Sequence, residues 1–326
     1  MINKNKYAMF FSCKNAVFLV KSTQEAIKIW NTENKNKVRN WKFIYKIEGK
    51  MNWLYGKNIV LTGASSGIGK DLVKILTSKY MCNVVGVARS GDKLEALKQE
   101  LNTPNFNFFV MDTSKKEKWQ ELRKYLFENN FQIDILINNA GRIHPFCAVK
   151  NLDIETTKNV IDVNFYSMVY GVDALIHDIL KSDTPSIVNI CSSSALCPVV
   201  GTAGYCASKS AMKAYSETLA IEMKNKAFVS TIFPGFTTTN IFDSKDNSQP
   251  VVQAKDRSLI DKISMPSIKM ANKIVKTIKR KKRRKILGWD AKLMNFGYKV
   301  MPQKTPAIIN WVFKKSKKET FKGIYE

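Results

Sequence analysis

From residue 57 onward the hydrophobic positions follow two alternating rhythms. "KNIVLTG" carries a short unbroken apolar run of β-branched residues and leucine, the pattern of a strand buried on both faces. "KDLVKILTSKY", from residue 70, instead sets apolar residues at 72, 73, 75 and 76 among polar ones, which predicts an amphipathic helix. The strand pattern returns in "NVVGVARS" (83–90), "FNFFVMDTS" (106–114) and "IDILINNAG" (133–141), and helical periodicity in 155–180 and 205–223. Strands alternating with helices of this length imply βαβ units. The expected fold is therefore α/β, a doubly wound parallel sheet flanked by helices.

The two ends read differently. "YAMFFSCKNAVFLV" (7–20) is apolar but broken by Lys14 and Asn15, too short to span a bilayer and without the cleavage site of a signal peptide. Residues 31–50 are rich in Asn and Lys without a period, whereas Met51 opens directly onto the first strand. The expected organisation is a poorly ordered N-terminal extension over 1–50, a nucleotide-binding domain over 51–262 and a basic C-terminal helical extension over 263–326.

Charge sharpens that division. Of the net charge of +26, almost none belongs to residues 51–261, where 23 Lys/Arg face 21 Asp/Glu. Residues 1–50 carry 11 against 3, and residues 262–326 carry 19 against 3. The tail has no recognised nucleic-acid motif, and its aromatics cluster with aliphatics rather than being spaced for base stacking, so no nucleic-acid partner is expected. Six cysteines without CxxC spacing and only two histidines, His144 and His177, suggest neither a metal site nor a disulfide framework, and a cytoplasmic location is expected.

Candidate chemistry begins in "TGASSGIG" (62–69), between the first strand and its helix. Gly63, Gly67 and Gly69 allow a tight turn, close approach to a pyrophosphate and close helix–strand packing. The second strand ends in Arg89 with no acid between Val84 and Ser90, which favours a ribose 2′-phosphate and hence NADP(H). Asp112, at the end of the third strand, is placed to accept from an adenine amino group. In "YCASK" (205–209), Tyr205 and Lys209 fall one helical turn apart on the same face, with only small residues between them.

Together these stretches resemble the short-chain dehydrogenase/reductase family. Its glycine motif matches "TGASSGIG", its strand-end motif "NNAG", its catalytic stretch "IVNICSSSALCPVVGTAGYCASK" and its proline-glycine stretch "FPGFTTT" (233–239), in order across about residues 55–240. The resemblance implies a Rossmann-like fold, a nicotinamide cofactor and carbonyl/alcohol redox chemistry. It implies catalytic roles for Tyr205, Lys209, Ser192 (thirteen residues before the tyrosine) and Asn164. It implies cofactor contacts from Gly63, Ser65, Ser66, Gly67, Ile68 and Gly69, from Asn139, Ala140 and Gly141, and from Tyr205 and Lys209 themselves. Pro234, Gly235, Thr237 and Thr239 would touch the carboxamide and pyrophosphate. His144 would line the substrate pocket, and the two long helical runs would build a homo-oligomer.

The chemistry of the pair is consistent with that role. Reducing a carbonyl needs a proton at oxygen as well as a hydride at carbon, and a free tyrosine, with a pKa near ~10, is a poor relay at neutral pH. An ammonium one turn away stabilises the phenolate. The expected function is an NADP(H)-dependent oxidoreductase acting on a ketone, aldehyde or alcohol, with a hydrophobic lipid-like substrate favoured. A 3-oxoacyl-carrier-protein reductase and a catalytically silent NADP(H)-binding protein remain as alternatives.

Segment 240–265 is polar and proline-punctuated, where the family places its substrate lid. "MPSIKMANKIVKTIKRKKRRKILG" then reads as a helix running into the basic block 279–285, and beyond it tryptophan and aliphatic residues interleave with lysines. Peripheral membrane contact, or a flap over a long apolar substrate, is the favoured reading of that tail. Lys292, Lys299 and Lys304 interrupt any spanning helix.

Overall fold

The computed structural model describes residues 52–238, 256 and 264–326, together with the backbone of 8–13, 16–20 and 42–46. The chain divides into two units, Met1–Tyr55 and Gly56–Glu326. In the first, strands β1 (Ala8–Cys13), β2 (Ala16–Val20) and β3 (Lys42–Lys46) pair antiparallel in the order β2-β1-β3.

The second unit is built on seven parallel strands: β4 (Asn58–Thr62), β5 (Asn83–Ala88), β6 (Phe106–Val110), β7 (Ile135–Asn138), β8 (Ser186–Ile190), β9 (Phe228–Pro234) and β12 (Arg284–Leu287). Their order is β12-β9-β8-β7-β4-β5-β6, and every neighbouring pair is parallel. The expected doubly wound sheet is therefore present. A further short pair, β10 (Thr237–Thr238) and β11 (Met265–Pro266), is also parallel.

Helices cover both faces. Against one lie α3 (Lys116–Glu128), α5 (Ser167–Ile179) and α6 (Ala203–Glu222), whose Trp119, Leu122, Leu175 and Leu219 pack with Val60, Leu136, Ile187 and Val229 of the sheet. Trp119 is fully buried, and its indole N–H is satisfied by the Thr113 carbonyl at 2.8 Å. α1 (Gly67–Tyr80), α2 (Gly91–Leu101) and α7 (Ser267–Lys279) lie against the other face. α7 turns Met270, Ala271, Ile274, Val275 and Ile278 inward, the spacing of one helical stripe, and packs on α1.

The C-terminal segment differs from expectation here. Part of the basic block is neither helix nor extension: Arg284–Leu287 adds to β9 as the last strand, Arg284 opposite Thr231 and Leu287 opposite Pro234. The arginine stays outside with its guanidinium 4.9 Å from the centre of the Phe233 ring, while Leu287 is buried. The expected helix running into the block is α7, which ends at Lys279, and helices resume beyond the strand: α8 (Trp289–Val300), α9 (Lys304–Ser316) and the single turn α10 (Lys322–Tyr325). The strand order reverses between β4 and β7, and a sheet of this kind opens its ligand crevice at the carboxyl ends of the strands flanking that reversal.

Candidate active site

The crevice lies at that reversal, a cleft of about 660 Å³. Its floor is set by the loop after β4. Gly63 and Gly67 have φ of +70° and +51°, in the left-handed region. Gly69 presses on Gly63 so closely that a Cβ there would collide with the Gly63 carbonyl. Ser66 precedes α1 without capping it by its side chain, and the first turn of α1 carries no acid, so its N–H groups stay open toward the cleft. Asn139 ties the neighbouring strand end down: its side-chain amide donates to the Thr62 carbonyl at 3.0 Å, while the backbone N–H groups of Asn139 and Ala140 both donate to the Thr62 hydroxyl at 3.0 Å.

The cleft gathers nearly every residue singled out in the sequence. Its walls include the loop 63–69, Arg89, Asp112, Asn139–Gly141, Ser192, Tyr205, Lys209, Pro234, Gly235 and Thr237. One oxygen of Asp112 is already engaged, accepting from the backbone and hydroxyl of Ser114 at 2.9 and 2.7 Å. Thr237 donates its hydroxyl to the Gly235 carbonyl at 3.0 Å. Thr239 and most of segment 240–265 lie outside the described residues.

Tyr205 and Lys209 sit in the first two turns of α6, as their spacing predicts. Lys209 is buried, with Nζ donating to the Ile190 carbonyl at 3.3 Å, 3.7 Å from the Met212 sulfur and 6.0 Å from the centre of the Tyr205 ring. Burial holds its ammonium below the ordinary lysine range. Burial also raises the Tyr205 phenol well above its ordinary value, while its hydrogen bond with the Ser192 hydroxyl pulls the other way. Ser192 itself accepts from the backbone N–H of Ser194 at 3.2 Å.

Asn164 does not line the cleft. It lies in a π-helical turn, Asp162–Tyr166, that interrupts the run from α4 (Ile154–Ile161) into α5. There its side chain brackets Arg142, accepting from the backbone N–H at 2.8 Å and donating to the carbonyl at 2.9 Å, and it also donates to the Ser208 hydroxyl at 2.8 Å. It thereby holds Gly141 close to Lys209: a Cβ on Gly141 would stand 3.1 Å from Asn164 Oδ1 and 3.4 Å from Lys209 Nζ.

His144 is a correction. Fully buried, it is not among the residues that wall the cleft; its Nδ1 lies 2.7 Å from the Pro145 carbonyl and its Nε2 has no partner among the described residues. The nearby thiols read as packing groups, since burial pushes Cys191 and Cys197 up to about 11.

Two residues were missed. Lys93, in the first turn of α2, lines the cleft four residues beyond Arg89 at the end of β5, and a second basic residue so soon after the strand was the available signal. Asp290, at the start of α8, accepts from the Phe236 backbone N–H at 2.6 Å and so anchors the loop after β9. It is one of only three acids after residue 261, and that isolation was its signal.

A glycine loop at the reversal of a parallel sheet, opening onto a cleft with a tyrosine and a lysine one turn apart, defines a nucleotide-binding α/β protein of the Rossmann-like class. The chain belongs to the short chain dehydrogenase family, whose profile matches residues 57–250. Among relatives, 11-beta-hydroxysteroid dehydrogenase 1A of Arabidopsis thaliana is 31% identical over 195 residues, which is 59% of this chain and 55% of that one. Among solved structures, an alcohol dehydrogenase of the archaeon Thermococcus sibiricus complexed with 5-hydroxy-NADP superposes with a TM-score of 0.61 at 24% identity, covering 71% of this chain and 94% of that one. A short chain dehydrogenase/reductase of Burkholderia phymatum in complex with NAD gives 0.65 at 21%, covering 72% and 89%.

Proposed function

We propose that this oxidoreductase uses NADP(H) to reduce a ketone or aldehyde, or to oxidise the corresponding alcohol, on a hydrophobic lipid-like substrate. The observation that carries the reading is the meeting of the Tyr205 phenol, the Ser192 hydroxyl and the Lys209 ammonium in the cleft floored by the glycine loop.

The fit to a dinucleotide rests on the tight glycine turn, in which Gly69 leaves no room for a Cβ against the Gly63 carbonyl, and on the uncapped first turn of α1. Residues 63–69 would hold the pyrophosphate, Asn139–Gly141 with Tyr205 and Lys209 the nicotinamide ribose, and Pro234, Gly235 and Thr237 the carboxamide side. Solved neighbours carry either an NADP derivative or NAD, so the choice rests on the basic pair Arg89 and Lys93. When bound, the cofactor supplies the hydride.

The chain's own work is at the substrate oxygen. Ser192 and Tyr205 are hydrogen-bonded to each other; once that bond opens to admit a substrate oxygen, each can turn its hydroxyl proton to it, and the raised phenol keeps its proton until that oxygen can take it. Lys209 stabilises the phenolate left behind. Asn164 acts through others, holding the Gly141–Arg142 backbone against the lysine. Beside Tyr205 the cleft is walled by Ile143, Phe146 and Val199, an apolar surface suited to an apolar carbonyl. The relative named for a hydroxysteroid supports that substrate class.

The test is oxidation of NADPH and of NADH over ketones of increasing chain length, by the wild type and by Arg89→Asp. NADPH preferred by the wild type, that preference lost in the variant, and rates rising with chain length are expected. Equal or better use of NADH by the wild type overturns the cofactor choice, and NADPH binding without reduction of any carbonyl overturns the enzymatic reading.

A further inference from the structure

The last two long helices break the rule that a helix hides its apolar stripe. On α8, Trp289, Leu293, Phe296 and Val300 recur at intervals of four, three and four residues, which aligns them along one side. All four face outward, with Trp289 69% and Phe296 66% exposed. On α9, Ile308, Trp311 and Val312 are exposed as well, and the turn between the helices exposes Met301 and Pro302. These side chains are not surplus from an inward face, because the same helices have one. Met294 and Phe313 pack with Ile143, Phe146 and Val199 beside Tyr205. The two helices also close on each other, Gly297 lying so near Thr305 that a Cβ would stand 3.0 Å from its hydroxyl.

The charge around the outward stripes has one sign. Lys292, Lys299, Lys304 and Lys315 are exposed on these helices, and Lys315 Nζ sits 4.9 Å over the Trp311 ring. The one acid on either helix, Asp290, is occupied with Phe236. Among the described residues no helix is long and apolar enough to cross a membrane. Tryptophan, phenylalanine and aliphatic residues rimmed by lysines, on a helix pair that cannot span, match the chemistry of an interface between headgroups and acyl chains.

We propose that the α8–α9 hairpin is a docking surface for an anionic lipid bilayer. Its aromatic and aliphatic stripe enters the headgroup boundary while the lysines meet lipid phosphates. The proposal rests on the exposed stripe and its charge, independently of the catalytic reading. It also gives the hairpin two duties, its inner face packing behind the residues that wall the cleft beside Tyr205 and its outer face holding them at the membrane.

The experiment is co-sedimentation of the full chain with vesicles of phosphatidylcholine alone and of phosphatidylcholine mixed with phosphatidylserine. The wild type is expected to pellet with the mixed vesicles, less so as salt is raised. A triple variant, Trp289→Ser, Phe296→Ser and Trp311→Ser, should partition about tenfold more weakly while keeping the wild-type melting temperature. A double variant, Lys304→Glu and Lys315→Glu, should lose the preference for the anionic vesicles. The proposal is overturned if the wild type stays in the supernatant, if the triple variant pellets as well as the wild type, or if sedimentation velocity shows a lipid-free dimer that the triple variant dissolves. Each readout is binding, so it stands or fails apart from turnover.

Discussion

A phenol drawn partly out of water surrenders its proton less readily than a free one, and Tyr205 is half-buried in the wall of the cleft. Tyr205→Phe is expected to lower kcat by about a thousandfold while leaving NADPH binding and the melting temperature close to wild type, checked by steady-state kinetics and scanning calorimetry. Gly69→Ala is expected to abolish NADPH binding, followed by cofactor fluorescence, because its Cβ would strike the Gly63 carbonyl. Both sites were legible because their chemistry is local: one helical turn separates Tyr205 from Lys209, and six residues separate Gly63 from Gly69. Asn164 was legible only by resemblance, since its bracket partner Arg142 lies 22 residues away across a loop. His144 was misplaced for a related reason. Its position in the chain put it beside the cleft, but the direction of a loop side chain is decided by packing. Its Nδ1 donates to the Pro145 carbonyl, so a second proton would go to Nε2, where the N–H so formed would find no acceptor among the described residues, and burial lowers its pKa from 6.5. A lowered pKa contributes stability that is present above the unfolded value and lost as pH falls below it. Melting temperature should therefore drop below about pH 6.5, and less so in His144→Gln.

Between elements, the informative contact is the one from α8 to the loop after β9. Asp290 receives the Phe236 N–H and fills the space beside Gly235, so the first turn of a C-terminal helix fixes a wall of the cleft. Asp290→Ala is expected to cost about 2 kcal/mol of stability and to raise KM for NADPH more than it lowers kcat, measured by urea denaturation and kinetics. The sequence concealed this arrangement behind charge. Arg284 and Lys285 read as part of a basic block, yet a four-residue edge strand needs only one or two inward apolar side chains, and Ile286 and Leu287 supply them. Edge strands tolerate charge on their open side, so composition alone separates them poorly from a solvated helix end. Strands β4, β5 and β7 were legible because burial on both faces demands nearly unbroken apolar runs, and the edge strand β6 by its aromatic residues.

Through its buried thiols and the Tyr205 phenol, the fold should weaken in alkali. Burial pushes Cys82 up to about 12 and Cys191 and Cys197 to about 11, and raises Tyr205 as well. Each keeps a proton in the folded chain that the unfolded chain releases, so stability is full below the ordinary cysteine value of 9.0 and declines as pH climbs past it. Lys209, lowered by burial, acts with the opposite sign. The melting temperature is expected to fall steadily from pH 9 to pH 11, with a shallower slope in Cys191→Ala.

The strand order has a consequence for how such a chain is born. β4 is made first and stands inside the sheet; β5 and then β6 add outward on one side, and β7, β8, β9 and β12 add in turn on the other. As the chain leaves the ribosome, each new strand meets an edge already in place, and none has to be threaded between two that have joined. Synthesis and assembly can run in the same direction, with the basic strand Arg284–Leu287 closing the row last.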